Sequence, residues 1–194
     1  IKNFNRENDP IKTGNYVNPS TAQLDKLTMM VEKLLETATL DGDDLALNKE
    51  EINLNEILEN LVQKHQTLAP EKSIRFTALR ENNWILGDAF HLDNALNNLL
   101  DNAVKYGGDT IEVTLNSRNG SYRILVSDSG TSLSKAEAKQ IFEKFYRVPK
   151  GNTHDVKGFG IGLYYTQKII EKHGGSIDVS VTSQTTFKIE LPNA

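Results

Sequence analysis

At 194 residues, a quarter of them charged and with a formal net charge of −4, the chain suits one ordinary domain plus a smaller appendage, and it lacks the basic excess that charge-driven nucleic-acid binding requires. The absence of cysteine excludes disulfides and thiolate metal sites, and no apolar run is long enough to span a bilayer. The first residues carry no signal-peptide pattern, and a start at Ile1 reads as a piece excised from a longer protein.

Residues 1 to 19 are polar and broken by Pro10, Gly14 and Pro19, which reads as a helix end followed by a loop. Ser20 with Gln23 then offers a capping box, and Leu24, Leu27, Val31, Leu34 and Ala38 follow at spacings of three and four. Such a heptad seam needs partner helices, so a homodimeric helical bundle is expected, with an ordinary core-facing helix as the alternative. Asp41-Gly-Asp-Asp44 ends it, which sets a boundary between residues 1–48 and a second unit over 49–194. Asn53 with Glu56 caps a helix bearing Ile57, Leu58, Leu61, Val62 and Leu68, closed off by Pro70.

Ile74, Phe76 and Ala78 alternate, as do Ile111, Val113 and Leu115 and then Tyr122, Ile124 and Val126, so three half-buried strands are predicted. An apolar patch at Trp84-Ile-Leu86 leads through Gly87-Asp88 into a helix that runs from His91 to Tyr106. Leu92, Ala95, Leu96, Leu99, Leu100, Ala103 and Val104 give this helix one apolar face. Further on, Lys135 to Phe145 reads as helix, Val148 to Lys157 as a mobile loop, Gly162 to His173 as helix, and Ile177–Val181 with Thr186–Leu191 as a hairpin. Interleaved helices and paired strands point to an α+β fold, a mixed sheet with helices on one face.

Three stretches carry chemistry. Asn98 and Asn102 lie four residues apart, which stacks their amides about 6 Å apart on one side of the helix. With Lys105 and Tyr106 they make a surface able to hold a metal-bound polyphosphate; a solvated asparagine-rich face is the bland alternative. Asp128-Ser-Gly130 puts a carboxylate at a strand end, where it can accept a hydrogen bond from an exocyclic amine, as adenine offers, while the glycine leaves room for a flat base. A plain strand-ending turn would look the same. Gly158-Phe-Gly160-Ile-Gly162-Leu163 has glycines at alternate positions and opens a helix whose N-terminal amides favour phosphate, yet it fits neither the dinucleotide fingerprint nor a Walker loop. The loop at 148–157 would form a lid, with Lys144 and Arg147 at its base in reach of phosphate oxygens.

The ordered set Asn98-Leu-Leu-Asp-Asn102-Ala-Val-Lys105-Tyr106, Asp128-Ser-Gly130, Ile141-Phe-Glu-Lys-Phe-Tyr-Arg147, Gly158-Phe-Gly-Ile-Gly-Leu163 and His173-Gly-Gly resembles the asparagine, glycine and phenylalanine boxes of bacterial sensor histidine kinases. The resemblance covers residues 20 to 191. It implies a two-layer α/β sandwich of the kind shared with gyrase and the heat-shock chaperone, preceded by part of a dimerisation helical hairpin. It implies ATP and magnesium as cofactors, with Asn102 on the metal and Asn98 beside it. Lys105, Lys144 and Arg147 would lie at the phosphates, Tyr106 and Tyr146 beside the nucleotide, and Asp128 on the adenine amine. Gly130 would admit the ring, Gly158, Gly160 and Gly162 would hinge the lid, and Leu163 and Thr185 would border the site.

The activity implied is transfer of the γ-phosphoryl group to a histidine and then to a response-regulator aspartate, in the cytoplasm, with a membrane involved only through parts of the parent protein. Hydrolytic relatives resemble one another in a glutamate four residues before the metal-binding asparagine; Asn98 stands there, and an amide cannot take a proton from water at neutral pH. An ATP hydrolase and a non-catalytic nucleotide-sensing module are the alternatives. The family's acceptor context, His-Glu/Asp-x-x-x-Pro, does not occur, so His65, His91, His154 and His173 are read as non-acceptors. Ser132 and Gln184 stand where the family has glycine.

Overall fold

The period-two runs of the sequence become the strands of one mixed sheet in the computed structural model, which describes residues 28, 31, 45–80, 83–118, 120–130, 133–148 and 159–193. Contacts divide the chain into Ile1–Gly42 and Asp43–Ala194. Of the first unit, Thr28 and Val31 are described, both helical, and the rest of the predicted heptad seam lies outside the described residues. Gly158, His154, Ser132 and all of the predicted lid but Val148 also lie outside them.

In the second unit the elements run β1 (Glu50–Asn53), α1 (Leu54–Leu68), β2 (Ser73–Ala78), β3 (Trp84–Gly87), α2 (Ala89–Tyr106), β4 (Thr110–Arg118), β5 (Ser121–Asp128), α3 (Gly162–Lys172), β6 (Ser176–Val181) and β7 (Thr185–Pro192). The main sheet has the order β2-β4-β5-β7-β6. β2 lies parallel to β4 and the other pairs are antiparallel. β1 and β3 form a separate antiparallel pair.

Register decides which side chains share a face. Val113 pairs with Val126 and Val126 with Phe187, while Leu115 pairs with Ile124 and Ile124 with Ile189. All of these are buried, so the inner face of the sheet is a continuous apolar layer. The opposite face carries Arg123 and Glu190, whose guanidinium and carboxylate lie 2.6 Å apart, and Lys188 beside Asp178 at 3.5 Å. One apolar and one polar face require a single helical layer, which α1, α2 and α3 supply. In α2, Leu92, Leu96, Leu99 and Leu100 are fully buried, each stabilising by about 1.5–3 kcal/mol. Among the described residues no helix is long and apolar enough to cross a membrane.

Several expectations change in detail. Lys135 to Phe145 is not a helix: Glu137–Lys139 forms one turn of 3-10 helix and the rest is turns. Ser134 and Glu137 do cap that turn reciprocally, through Ser134 N–H to Glu137 Oε2 at 2.8 Å and Glu137 N–H to Ser134 Oγ at 3.2 Å. At the end of the predicted span Phe145 adopts φ +65 and gives its N–H to Gly160 O, a backbone state no helix continues through. In α1, Leu68 is exposed and Leu54, absent from the predicted core, is completely buried. Trp84 and Leu86 are each half exposed, because β3 turns Ile85 and Gly87 inward instead.

His173, just past α3, ties the start of α2 in place. Its Nδ1 donates to Ile169 O at 2.8 Å and its Nε2 accepts from Asp88 N–H at 2.9 Å, a pattern available only to a neutral imidazole. Asp88 in turn accepts from His91 N–H and Asn48 N–H. Burial pushes the His173 pKa below its ordinary 6.5. The unfolded chain therefore binds a proton that the folded chain refuses, so stability falls as pH drops below about 6.5 and the loss is complete once the folded imidazole titrates. Burial raises Asp88, but the two backbone N–H groups and the neighbouring imidazoles together outweigh it and leave that carboxyl below its ordinary value, adding a further loss at lower pH. Urea unfolding at stepped pH should show this decline, and His173→Gln should flatten its upper part; an unchanged slope in the variant would contradict the network.

Candidate nucleotide site

The C-terminus of α2 and the ends of β5 and β7 converge on Asp128. Asp128 pairs in register with Thr185, is 6 % exposed, and accepts Gly130 N–H on Oδ1 at 2.8 Å. A second backbone N–H reaches the carboxylate from Gly108, in the turn that follows α2. Burial raises the Asp128 pKa, against the pull of those two amides and of the Lys72 ammonium. Thr185 Oγ1 donates to Gly130 O at 3.4 Å.

Close approach here depends on glycine. A Cβ on Gly107 would lie 2.7 Å from Asp128 Cγ, one on Gly108 2.8 Å from the Ser129 carbonyl carbon, and one on Gly130 2.8 Å from Gly107 Cα. The two turns therefore pack backbone against backbone, and Gly130 serves that packing. Gln184, in place of an expected glycine, sits in an exposed turn at ordinary φ, with its O accepting from Thr182 N–H, so that turn has no need of glycine.

The asparagine helix meets the glycine run through Asn98, whose Nδ2 donates to Gly162 O at 3.4 Å. Thr166 Oγ1 adds a second tie, 3.1 Å from Ala95 O. Among the described residues α3 opens at Ile161 with no side-chain cap hydrogen bond, the kind of helix start whose amides suit an anion, and half-buried Leu163 lies in its first turn. Asn102 is half-buried, and its amide makes no side-chain hydrogen bond to another described residue. Among the described residues no group of three or more His, Asp or Glu could hold a metal by itself. An amide oxygen with room for waters and phosphate oxygens is the donor set that suits magnesium, which keeps much of its hydration.

The predicted cations are placed less simply. Lys105 is exposed and bonded to Asp101 Oδ2 at 3.1 Å, one turn back on α2. Lys144 lies with its ammonium 5.2 Å from the Tyr164 ring centroid, which docks the segment after the 3-10 turn on α3. Arg147 is exposed, and Tyr106 and Tyr146 are half-buried. Gly160 at φ +70 is held by Phe145 N–H, and a Cβ there would lie 2.6 Å from Tyr146 O. It lies against the Phe145-Tyr146 backbone. Two features had escaped sequence reading: Lys72, whose contacts lie 35 and 36 residues away, and Gly107-Gly108, which the run Tyr106-Gly-Gly could have marked as a helix stop.

Residues 87–194 match the family described as histidine kinase-, DNA gyrase B- and HSP90-like ATPases. The sensor protein RprX of Bacteroides fragilis is 36% identical over 175 residues, covering 86% of this chain and 34% of that protein. The chain spans about a third of the length of the curated relatives it matches. Two solved structures share the fold: full-length ShkA in complex with AMPPNP, at TM-score 0.81 and 23% identity over 93% of this chain and 39% of that one, and the histidine kinase ThkA in complex with the response regulator TrrA, at TM-score 0.72 and 23% identity over 98% of this chain and 54% of that one.

Gly120 and Gly160 share a positive φ, but a Cβ at Gly120 meets nothing within 4 Å. Gly120→Ala should then cost about 1–2 kcal/mol. Gly160→Ala should cost more than about 3 kcal/mol, backbone strain and overpacking together. Chemical denaturation of both variants checks this, and equal costs would refute the tight docking of Phe145 on Gly160.

Proposed function

Since the chain belongs to the family of histidine kinase-, DNA gyrase B- and HSP90-like ATPases, we propose that it is the ATP-binding catalytic part of a two-component sensor histidine kinase. The observation that carries this reading is the buried Asp128 carboxylate packed against the Gly107-Gly108 turn that ends the helix bearing Asn98 and Asn102. Asp128 accepts the exocyclic amine of adenine, and Gly130 with Gly107-Gly108 gives the ring its flat wall. Tyr106 and Tyr146 flank the nucleotide. The first-turn amides of α3, at Gly162 and Leu163, take phosphate oxygens together with Lys105, Lys144 and Arg147. Gly158 and Gly160 carry the chain between the lid and α3.

Asn102 would hold magnesium with the phosphates, and the cation supplies charge neutralisation at the γ-phosphoryl group. The residues of this chain then bind and orient the phosphates and exclude water, the contribution phosphoryl transfer chiefly needs from a protein. For Lys105 this requires leaving Asp101, an exposed pair worth under about 1 kcal/mol that phosphate charge readily displaces. Asn98, tied to Gly162, offers no base for water, which favours a protein acceptor over hydrolysis. The acceptor is a histidine outside these residues, presented by a homodimeric hairpin of which residues 1–48 form part, and the phosphoryl group passes on to a response-regulator aspartate. The parent protein is a membrane-anchored sensor with this part in the cytoplasm.

With labelled ATP and a dimerisation domain bearing an acceptor histidine, acid-labile phosphate should appear on that partner. Free phosphate without partner labelling would instead favour a hydrolase, and tight ATP binding with neither product a sensing module. Asn102→Ala should weaken magnesium-dependent ATP binding by at least about tenfold at unchanged thermal stability. Unchanged affinity by calorimetry would remove Asn102 from the site.

A further inference from the structure

Lys72 precedes β2 and belongs to none of the boxes that mark the site. Its Nζ donates to Gly107 O at 3.2 Å and to Gly108 O at 3.0 Å, the first carbonyls beyond the C-terminus of α2. An ammonium there complements the negative end of the helix. The same turn gives Gly108 N–H to the Asp128 carboxylate. Its position is tightly defined, because a Cβ on either glycine would collide with Asp128 or Ser129. Next to it, Ser73 N–H bonds Asp109 O at 2.8 Å, so the backbone at Lys72 is fixed relative to the turn.

From this geometry we infer that Lys72 is a positioning residue for nucleotide-base recognition, holding the Gly107-Gly108 turn so that its amide stays on Asp128 and supplying the positive charge that keeps that carboxylate an acceptor. The inference rests on the reading of Asp128 as the base-binding group. Gly107, Gly108, Gly130 and Thr185 beside the carboxylate carry no titratable side chain, and among the described residues Lys72 is the cation whose charge acts on it. Its long stem lets one ammonium reach two carbonyls and still act on a buried group. Arginine would preserve the charge and two donors, whereas methionine preserves only the stem.

The test uses the full chain in two independent readouts. Carboxyl-carbon NMR follows the titration of Asp128 without nucleotide, and calorimetry gives the ATP affinity at about pH 6 and about pH 8. Lys72→Met should move the Asp128 titration to higher pH and weaken ATP binding about three- to tenfold at the lower pH, with a smaller loss at the higher. Lys72→Arg should restore both. If Lys72→Met fails to fold, Lys72→Gln, which keeps a donor for the carbonyls and drops the charge, should move the titration in the same direction. An Asp128 titration that stays in place in the charge-free variants would overturn the inference whatever the ATP result. ATP affinity unchanged in Asp128→Asn would instead overturn the base reading itself, and with it the nucleotide half of the inference.

Discussion

The architecture depends on one close approach, backbone against backbone, between the turn that ends α2 and the strand end that carries Asp128. Three glycines allow it, and any Cβ among them would push the asparagine helix away from the sheet edge. With the approach in place, Asp128 is buried, and the burial that raises its pKa is opposed by the backbone amides of Gly130 and Gly108. The apolar faces of α2 and the sheet hold this geometry, and the polar functions sit where those faces end.

A second junction completes the site. Asn98 to Gly162 and Thr166 to Ala95 fasten α3 beside α2, leaving the uncapped start of α3 on the same side as Asn102. Phe145, in the left-handed region, stores about 1–3 kcal/mol of strain that the bond to Gly160 helps to hold.

Much of this was legible in the residues. The inward strand positions, the amphipathic face of α2, the cap at Asn53, and the strand end at Asp128 follow from period and composition, since each is decided by neighbours close in sequence. The helix expected over 135–145 is realised as one 3-10 turn, and the span ends in a tertiary bond from Phe145 N–H to Gly160 O that nothing near it in the sequence records. Lys72 was invisible for a similar reason: its role is set by carbonyls that lie across the fold, and nothing near it in the sequence records them. The individual motifs are ambiguous alone, and it is their order and spacing together that mark the family.

The central claim is that a buried carboxylate at that edge reads the exocyclic amine of adenine. Calorimetric titration of the chain with magnesium-ATP and magnesium-GTP, side by side with Asp128→Asn, tests it most directly. The account predicts that ATP binds more tightly than GTP, because guanine presents a carbonyl oxygen to the carboxylate, and that the preference collapses in the variant. Equal affinity for the two nucleotides in the unaltered chain would contradict it.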